Sequence, residues 1–134
     1  MMLQNDKPLM KSVLSAGTAV YEVLSDWLKG KVTKVFPVVT DEAVLPYVCY
    51  HREALETVAA KHAPSADTAT IVVDCYAATY NGSVELAEAV REALDGVSIK
   101  TAAGLNVRSS YLTDAAESWT DDAFVQSLTF KLRC

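Results

Sequence analysis

Cys49 and His51 stand two residues apart in Tyr47-Val48-Cys49-Tyr50-His51-Arg52, and in a strand that spacing puts thiol and imidazole on one face. A thiol with an imidazole in hydrogen-bond reach is the pairing that produces a thiolate nucleophile. The competing reading, a core thiol beside a sheet-surface imidazole, asks for less. The other histidine, His62, falls in the turn Ala60-Lys61-His62-Ala63-Pro64, where it is expected to be solvated. Asp74 interrupts the apolar run Ile71-Val72-Val73 and precedes Cys75-Tyr76. It is either a catalytic carboxylate or an outward-facing acid that pairs with a Lys or Arg on a neighbouring strand or subunit, and the second reading is the simpler. A cleft holding His51 and Asp74 would indicate a ligand-binding or enzymatic module, whereas a flat sheet face there would not.

Other chemistry is sparse. Cys49, Cys75 and Cys134 with two histidines lack the paired ligand spacing of zinc sites, and no metal or cofactor is expected. Three cysteines are an odd count with no Cys-x-x-Cys pair, and because Cys49 and Cys75 lie inside apolar strand patterns, buried thiols in a reducing compartment are the simpler reading. Asn81-Gly82 and Ala103-Gly104 are turn signals, and nothing resembles a phosphate-binding glycine loop. Adjacent acids at Asp41-Glu42 and Asp121-Asp122 read as solvated turns, since opposed acid and base roles require unlike environments. Seventeen acids against 12 bases, a net charge of -5, argue against a broad phosphate-binding surface and against sequence-specific nucleic-acid readout. Lys29, Lys31 and Lys34 around Gly30 read as a solvated basic helix end, or as a small anion contact. No basic start followed by a long apolar run opens the chain and no stretch reaches the ~20 apolar residues of a membrane span, so a cytoplasmic chain with no membrane partner is expected.

The 134 residues, 51% hydrophobic and 22% charged, suit a single domain over residues 1–134 with one core and a flexible first ten residues. Val13, Ala16, Val20, Val23, Leu24, Trp27 and Leu28 recur at helical spacing, predicting a helix over about 15–29 with Trp27 in the core and Gly30 as a left-handed stop. Lys31 to Val39 alternates as a strand that Pro37 confines to a sheet edge. Tyr47 to Arg52 is a second strand begun by Pro46. The segment from Glu53 to His62 suits a short helix by propensity, yet lies between two strands that would pair as a hairpin. Thr68 to Tyr76 is the clearest strand and reads as central. Ser83 is a natural cap for a helix whose buried face carries Leu86, Ala87, Val90 and Leu94 and which Gly96 ends. Strands follow around 105–112 and 124–133, the last with Phe124, Gln126, Leu128, Phe130 and Leu132 on one face. Asp114, Glu117, Asp121 and Asp122 mark an acidic connection between them, and Trp119 within it is either a lid over the sheet or an exposed interface anchor. The expected fold class is α+β, a mainly antiparallel sheet of about five strands with two helices on one face, in the order α-β-β-β-α-β-β.

In order, these blocks resemble the small tail-completion, or tail-terminator, proteins of long-tailed bacteriophages and prophages. The resemblance rests on the starting helix, on Val35-Phe36-Pro37-Val38-Val39 and Leu45-Pro46-Tyr47-Val48-Cys49-Tyr50, on Ser65-Ala66-Asp67-Thr68-Ala69 leading into Ile71-Val72-Val73-Asp74-Cys75-Tyr76-Ala77-Ala78-Thr79-Tyr80, and on Glu85-Leu86-Ala87-Glu88-Ala89-Val90-Arg91. It covers roughly residues 11–133 and implies a non-catalytic virion subunit that caps the finished tail tube and joins tail to head. The implied partners are further copies in a ring, expected to be a hexamer through which DNA passes, together with a tail tube protein and a head connector protein. Assembly in the host cytoplasm would precede residence in the virion tail. The resemblance also favours a long hairpin through Glu53 to Thr68 over the short helix. Trp119, Asp121, Asp122, Lys61 and His62 are the candidate interface residues. The alternatives are a small cytosolic adaptor, or a ligand-binding or enzymatic α+β domain with a cleft near His51 and Asp74.

Overall fold

Alanine and branched aliphatic residues at i, i+3 and i+4 make two helices whose apolar stripes can be covered only by each other and by a sheet. A computed structural model describes residues 16–32, 35–37, 44–57, 67–100, 106–120 and 122–133. Helix α1 (Ala16–Trp27) is followed by β1 (Val35–Pro37), β2 (Tyr47–Thr57) and β3 (Asp67–Ala77), then α2 (Tyr80–Leu94), β4 (Val97–Lys100), β5 (Asn106–Trp119) and β6 (Phe124–Arg133). The strands form one sheet in the order β1-β2-β3-β6-β5-β4. β1 runs parallel to β2 and the remaining pairs are antiparallel.

The fold is α+β, as the sequence predicts. β3 lies between β2 and β6, and β1, ending in Pro37, occupies an edge where the missing N–H breaks no ladder. β4 is additional to the expected strands: with four residues and apolar side chains only at Val97 and Ile99, it carries too short a pattern to stand out. The hairpin reading holds as far as the described residues reach, because β2 continues to Thr57 and Thr57 pairs with Asp67. The helix that propensity allows from Glu53 is therefore absent over 53–57, and Lys61 and His62 lie outside the described residues. Pairing with β3 outweighs a weak local preference.

One face of the sheet is packed by both helices. Ala16, Ala19, Val20 and Leu24 of α1, and Leu86, Ala87, Val90, Ala93 and Leu94 of α2, meet Val48, Ile71, Val73, Cys75, Leu128, Phe130 and Leu132 in one apolar cluster. The strand residues alternate, as a single buried face demands. Trp27 departs from its expected core position and is 49% exposed, because the buried stripe runs through Leu24 and Leu28 and leaves position 27 at its margin.

The start of α2 also differs from expectation. Thr79, in extended conformation, is the N-cap, its hydroxyl accepting from the Gly82 N–H at 3.0 Å. A Cβ at Gly82 would stand 2.9 Å from that same oxygen, so glycine permits the cap. Ser83 lies fully buried inside the first turn, its Oγ donating to the Tyr80 carbonyl at 2.7 Å. At the far end Asp95 is the C-cap and Gly96 ends the helix as expected, with a φ of 73°, while Gly30 takes the left-handed φ of 85° that the sequence predicts for it.

The acidic segment from Asp114 is strand rather than connection. β5 runs to Trp119, with Asp114 opposite Thr129 and Trp119 opposite Phe124, and the chain turns between 119 and 124. Its polar residues hid the strand because this half of β5 is exposed on both faces, which removes the alternation that sequence reading depends on.

Candidate functional site

The sheet face away from the helices carries the residues first singled out for chemistry. Cys49, Asp74 and Ser127 stand in one row across β2, β3 and β6, and His51 stands in the next row but one, with Val72 and Thr129. Cys49 and His51 thus share a face, as their spacing requires, but Cys49 is 1% exposed while His51 is exposed. Asp74 is half-buried, and its Oδ1 accepts from Ser127 Oγ at 2.6 Å. A hydroxyl directly across the ladder satisfies the carboxylate within the sheet. Cys75 points to the helix side, where burial, then the Asp74 charge, push its thiol far above the ordinary range. Tyr47 and Tyr76 stack with ring centroids 4.6 Å apart. The Tyr76 phenol is pushed up to about 12, chiefly by desolvation and then by Asp74.

His51 and Asp74 line none of the three grooves formed by the described residues with Lys31, Leu28 or Trp27 in their walls. A groove of about 740 Å³ lies elsewhere, lined by Lys31, Pro46, Ala77, Val84, Leu86 and Ala89 among others, with Glu85 and Glu88 along its α2 wall. Among the described residues no group of three or more His, Cys, Asp or Glu side chains is placed to hold a metal ion. No helix among them is long and apolar enough to cross a membrane.

The end of the β5–β6 hairpin is the more organised feature. Trp119 and Phe124 are opposed across the ladder, and Tyr80 at the start of α2 meets Phe124 edge-on with centroids 6.0 Å apart. Trp119 is 77% exposed, Tyr80 48% and Phe124 38%, so Trp119 is no lid over the sheet but an aromatic projection. A polar network fixes its base. Tyr80 Oη donates to Glu117 Oε2 at 2.6 Å, and Gln126 Nε2 donates to the same oxygen and to Ser83 Oγ, each at 3.2 Å. The Tyr80 hydrogen bond, then that of Gln126, hold the Glu117 carboxyl below its usual range, while Glu117 raises the Tyr80 phenol above its own.

Because the folded Glu117 value is depressed, its contribution is present above the ordinary carboxylate range and is lost as pH falls through the depressed value. Tyr80 has the opposite sign: its contribution is present below the ordinary phenol range and is lost as pH rises through the raised value. The Gln126 side-chain amide resonances are therefore expected to stay constant across neutral pH and to move once in acid and once in alkali. Glu117→Gln removes the acid step; an acid step that persists in that variant would assign it to another group.

β5 is also an open edge here. β4 pairs with it only at Asn106, Val107 and Ser110, the Gly96 N–H donates to the Ser110 carbonyl, and the Leu112 N–H donates to Asp95 Oδ1. Among the described residues no strand pairs with Asp114–Trp119 on the side away from β6. Such an edge is a template for another chain unless it is blocked.

No family model matches the chain, and no curated protein does. Among solved structures, the fold is shared with a chain from the virion of a native gene transfer agent (GTA) particle. The two superpose with a TM-score of 0.70 at 20% sequence identity, over 91% of this chain and 98% of that one. The likeness extends along nearly the whole of both chains, so the fold is held in common.

Of the sequence-predicted interface residues, Trp119 and Asp122 are exposed at the hairpin end. Asp121, Lys61 and His62 lie outside the described residues. Tyr80, Glu117, Phe124 and Gln126 were not foreseen as site residues. The usable signal was Glu117 and Trp119 at i, i+2 facing Phe124 and Gln126 at i, i+2, which is a hairpin once 114–119 is recognised as strand.

Proposed function

We propose that this chain is a structural protein of a phage-type particle, a ring-forming subunit that caps the completed tail tube and joins tail to head without catalysis. The single observation that carries this reading is the fold shared, over nearly the full length of both chains, with a component of a gene transfer agent virion. The ordered strand and helix blocks that resemble tail-completion proteins point the same way. A sheet with an open edge and a projecting aromatic hairpin also has the surfaces that a repeated subunit needs. The enzymatic alternative loses support because Cys49 is buried and the groove contains neither His51 nor Asp74.

The test is the solution mass of the purified chain by light scattering over a concentration series, with and without tail tubes. A closed ring, or a monomer that becomes a ring only on tubes, is expected. A monomer at every concentration that ignores the tubes would overturn the reading.

A further inference from the structure

We infer that the open β5 edge of one copy pairs antiparallel with the β1 edge of the next and lodges Trp119 in the groove between its β1 and α1, an inference that rests on the ring-forming reading above and names its contact. β1 is one lateral edge of the sheet, and Asp114–Trp119 is open at the other because β4 reaches β5 no further than Ser110. The two edges stand at one level. Val35 shares a row with Val48, Cys75, Gln126 and Glu117, and Pro37 shares one with Tyr50, Val73, Leu128 and Ala115. Each antiparallel step reverses direction, so β5 runs against β1, and copies set side by side without shift bring the two together antiparallel with their helices on one side. The hydrogen-bonding phase agrees. Ser110 turns its carbonyl and Leu112 its N–H away from β6, toward Gly96 and Asp95. Past the register shift after Leu112, alternation turns the backbone groups of Ala115, Glu117 and Trp119 the same way. Carried across the rows, it leaves Val35 and Pro37 facing out of β1. Val35 and Glu117 then exchange both ladder bonds and Ala115 donates to the Pro37 carbonyl, so the N–H that Pro37 lacks costs the ladder its last bond alone.

Size and charge suit this occupant. Trp119 lies two residues beyond Glu117 on the same helix-side face, so in this register it falls beside the chain just before Val35 of the neighbour. A groove of about 320 Å³ opens there, lined by Tyr21, Ser25, Leu28, Lys29, Val32 and Val35 among others. It has room for an indole, offers it a tyrosine and aliphatic side chains, and holds Lys29 as the one charged residue among those that line it. Asp26 lines a separate groove with Trp27 and Glu92. The hairpin end from Thr113 to Gln126 holds Asp114, Glu117, Asp121 and Asp122 and no Lys or Arg, whereas Trp27 to Thr40 holds Lys29, Lys31 and Lys34 and no acid. Two hairpin ends repel each other, and the segment around β1 attracts one, so charge selects the unlike edge. Every residue from Asp114 to Trp119 is exposed, as an uncovered edge must be. A contact between unlike edges is heterologous, and it repeats from copy to copy until rotation closes it.

The experiment compares assembly of full-length variants by light scattering, with tail tubes where the free chain is monomeric. Trp119→Ala removes a side chain that is 77% exposed, so folding is expected to be unchanged while assembly weakens at least about tenfold. Ala115→Pro removes an outward N–H that β6 does not use, so the urea midpoint is expected to stay near that of the wild type while assembly is lost. Asp122→Lys and Lys29→Glu are each expected to weaken assembly about two- to fivefold, and the double variant to restore it. Mixing a Trp119→Cys chain with a Ser25→Cys chain, both carrying Cys134→Ser, is expected to give crosslinks between the two chains with a short bismaleimide. Crosslinks of Trp119→Cys only to itself would mean a two-fold contact and overturn the inference. Rings that form equally well with Trp119→Ala and with Ala115→Pro would overturn the inference and leave the ring-forming reading intact. A wild-type chain that never assembles, even on tubes, would overturn both.

Discussion

Phe130→Ala is expected to lower the unfolding free energy by about 3–5 kcal/mol, read as a shift of the urea midpoint at unchanged slope. Phe130 is the largest of the fully buried side chains and stands on β6 between Ile71 of β3 and Leu112 of β5. Its ring fills the helix-facing side of the sheet, where rows from three strands meet. Truncation leaves a hole bounded by ladder backbones, and a sheet paired on both sides cannot collapse to fill it. A loss below about 1 kcal/mol would mean that the core near β6 rearranges freely.

Leu24→Ala is expected to cost about 2–5 kcal/mol, and its effect is read on α1 as much as on the whole chain. Leu24 is fully buried on a 12-residue helix that is too short to persist in water without its packed stripe. Ala16, Ala19 and Val20 supply little volume, so Leu24 and Leu28 carry most of the apolar anchoring of α1. The α1 amides should exchange with solvent sooner than those of β3 and β6 in this variant. Equal exchange in all three would show that α1 unfolds only with the whole domain.

These two side chains were legible from pattern. Leu24 belongs to a stripe at helical spacing and Phe130 to a strict alternation, and both periodicities follow from backbone geometry alone. The same logic recovered the β6 boundaries, the edge position enforced by Pro37, the left-handed stop at Gly30 and the helix end at Gly96. It failed where local preference and context disagreed. Trp27 is apolar but stands at the margin of its stripe, and Ser83 looks like a cap but is displaced by Thr79 four residues earlier. The acidic half of β5 looks like a loop because neither of its faces is covered.

The chemistry-bearing residues show the same division. Spacing alone placed Cys49 and His51 on one face, and that is where they lie. It could not show that Cys49 would be sealed, nor that Ser127, 53 positions beyond Asp74, would supply the hydroxyl that satisfies it. The candidate site depends still more on distant partners: Tyr80, Glu117 and Gln126 are brought together only by docking α2 against the β5–β6 hairpin.

The sequence by itself determined the α+β class, the apolar faces of both helices and the alternation of the last strand, because these depend on residues within a few positions of one another. Tertiary structure decided the strand order, the extension of β5 to Trp119 and the docking of α2 against the β5–β6 hairpin. Those features arise from pairings between residues tens of positions apart, whose free energy comes from burial and ladder hydrogen bonds that no local pattern encodes.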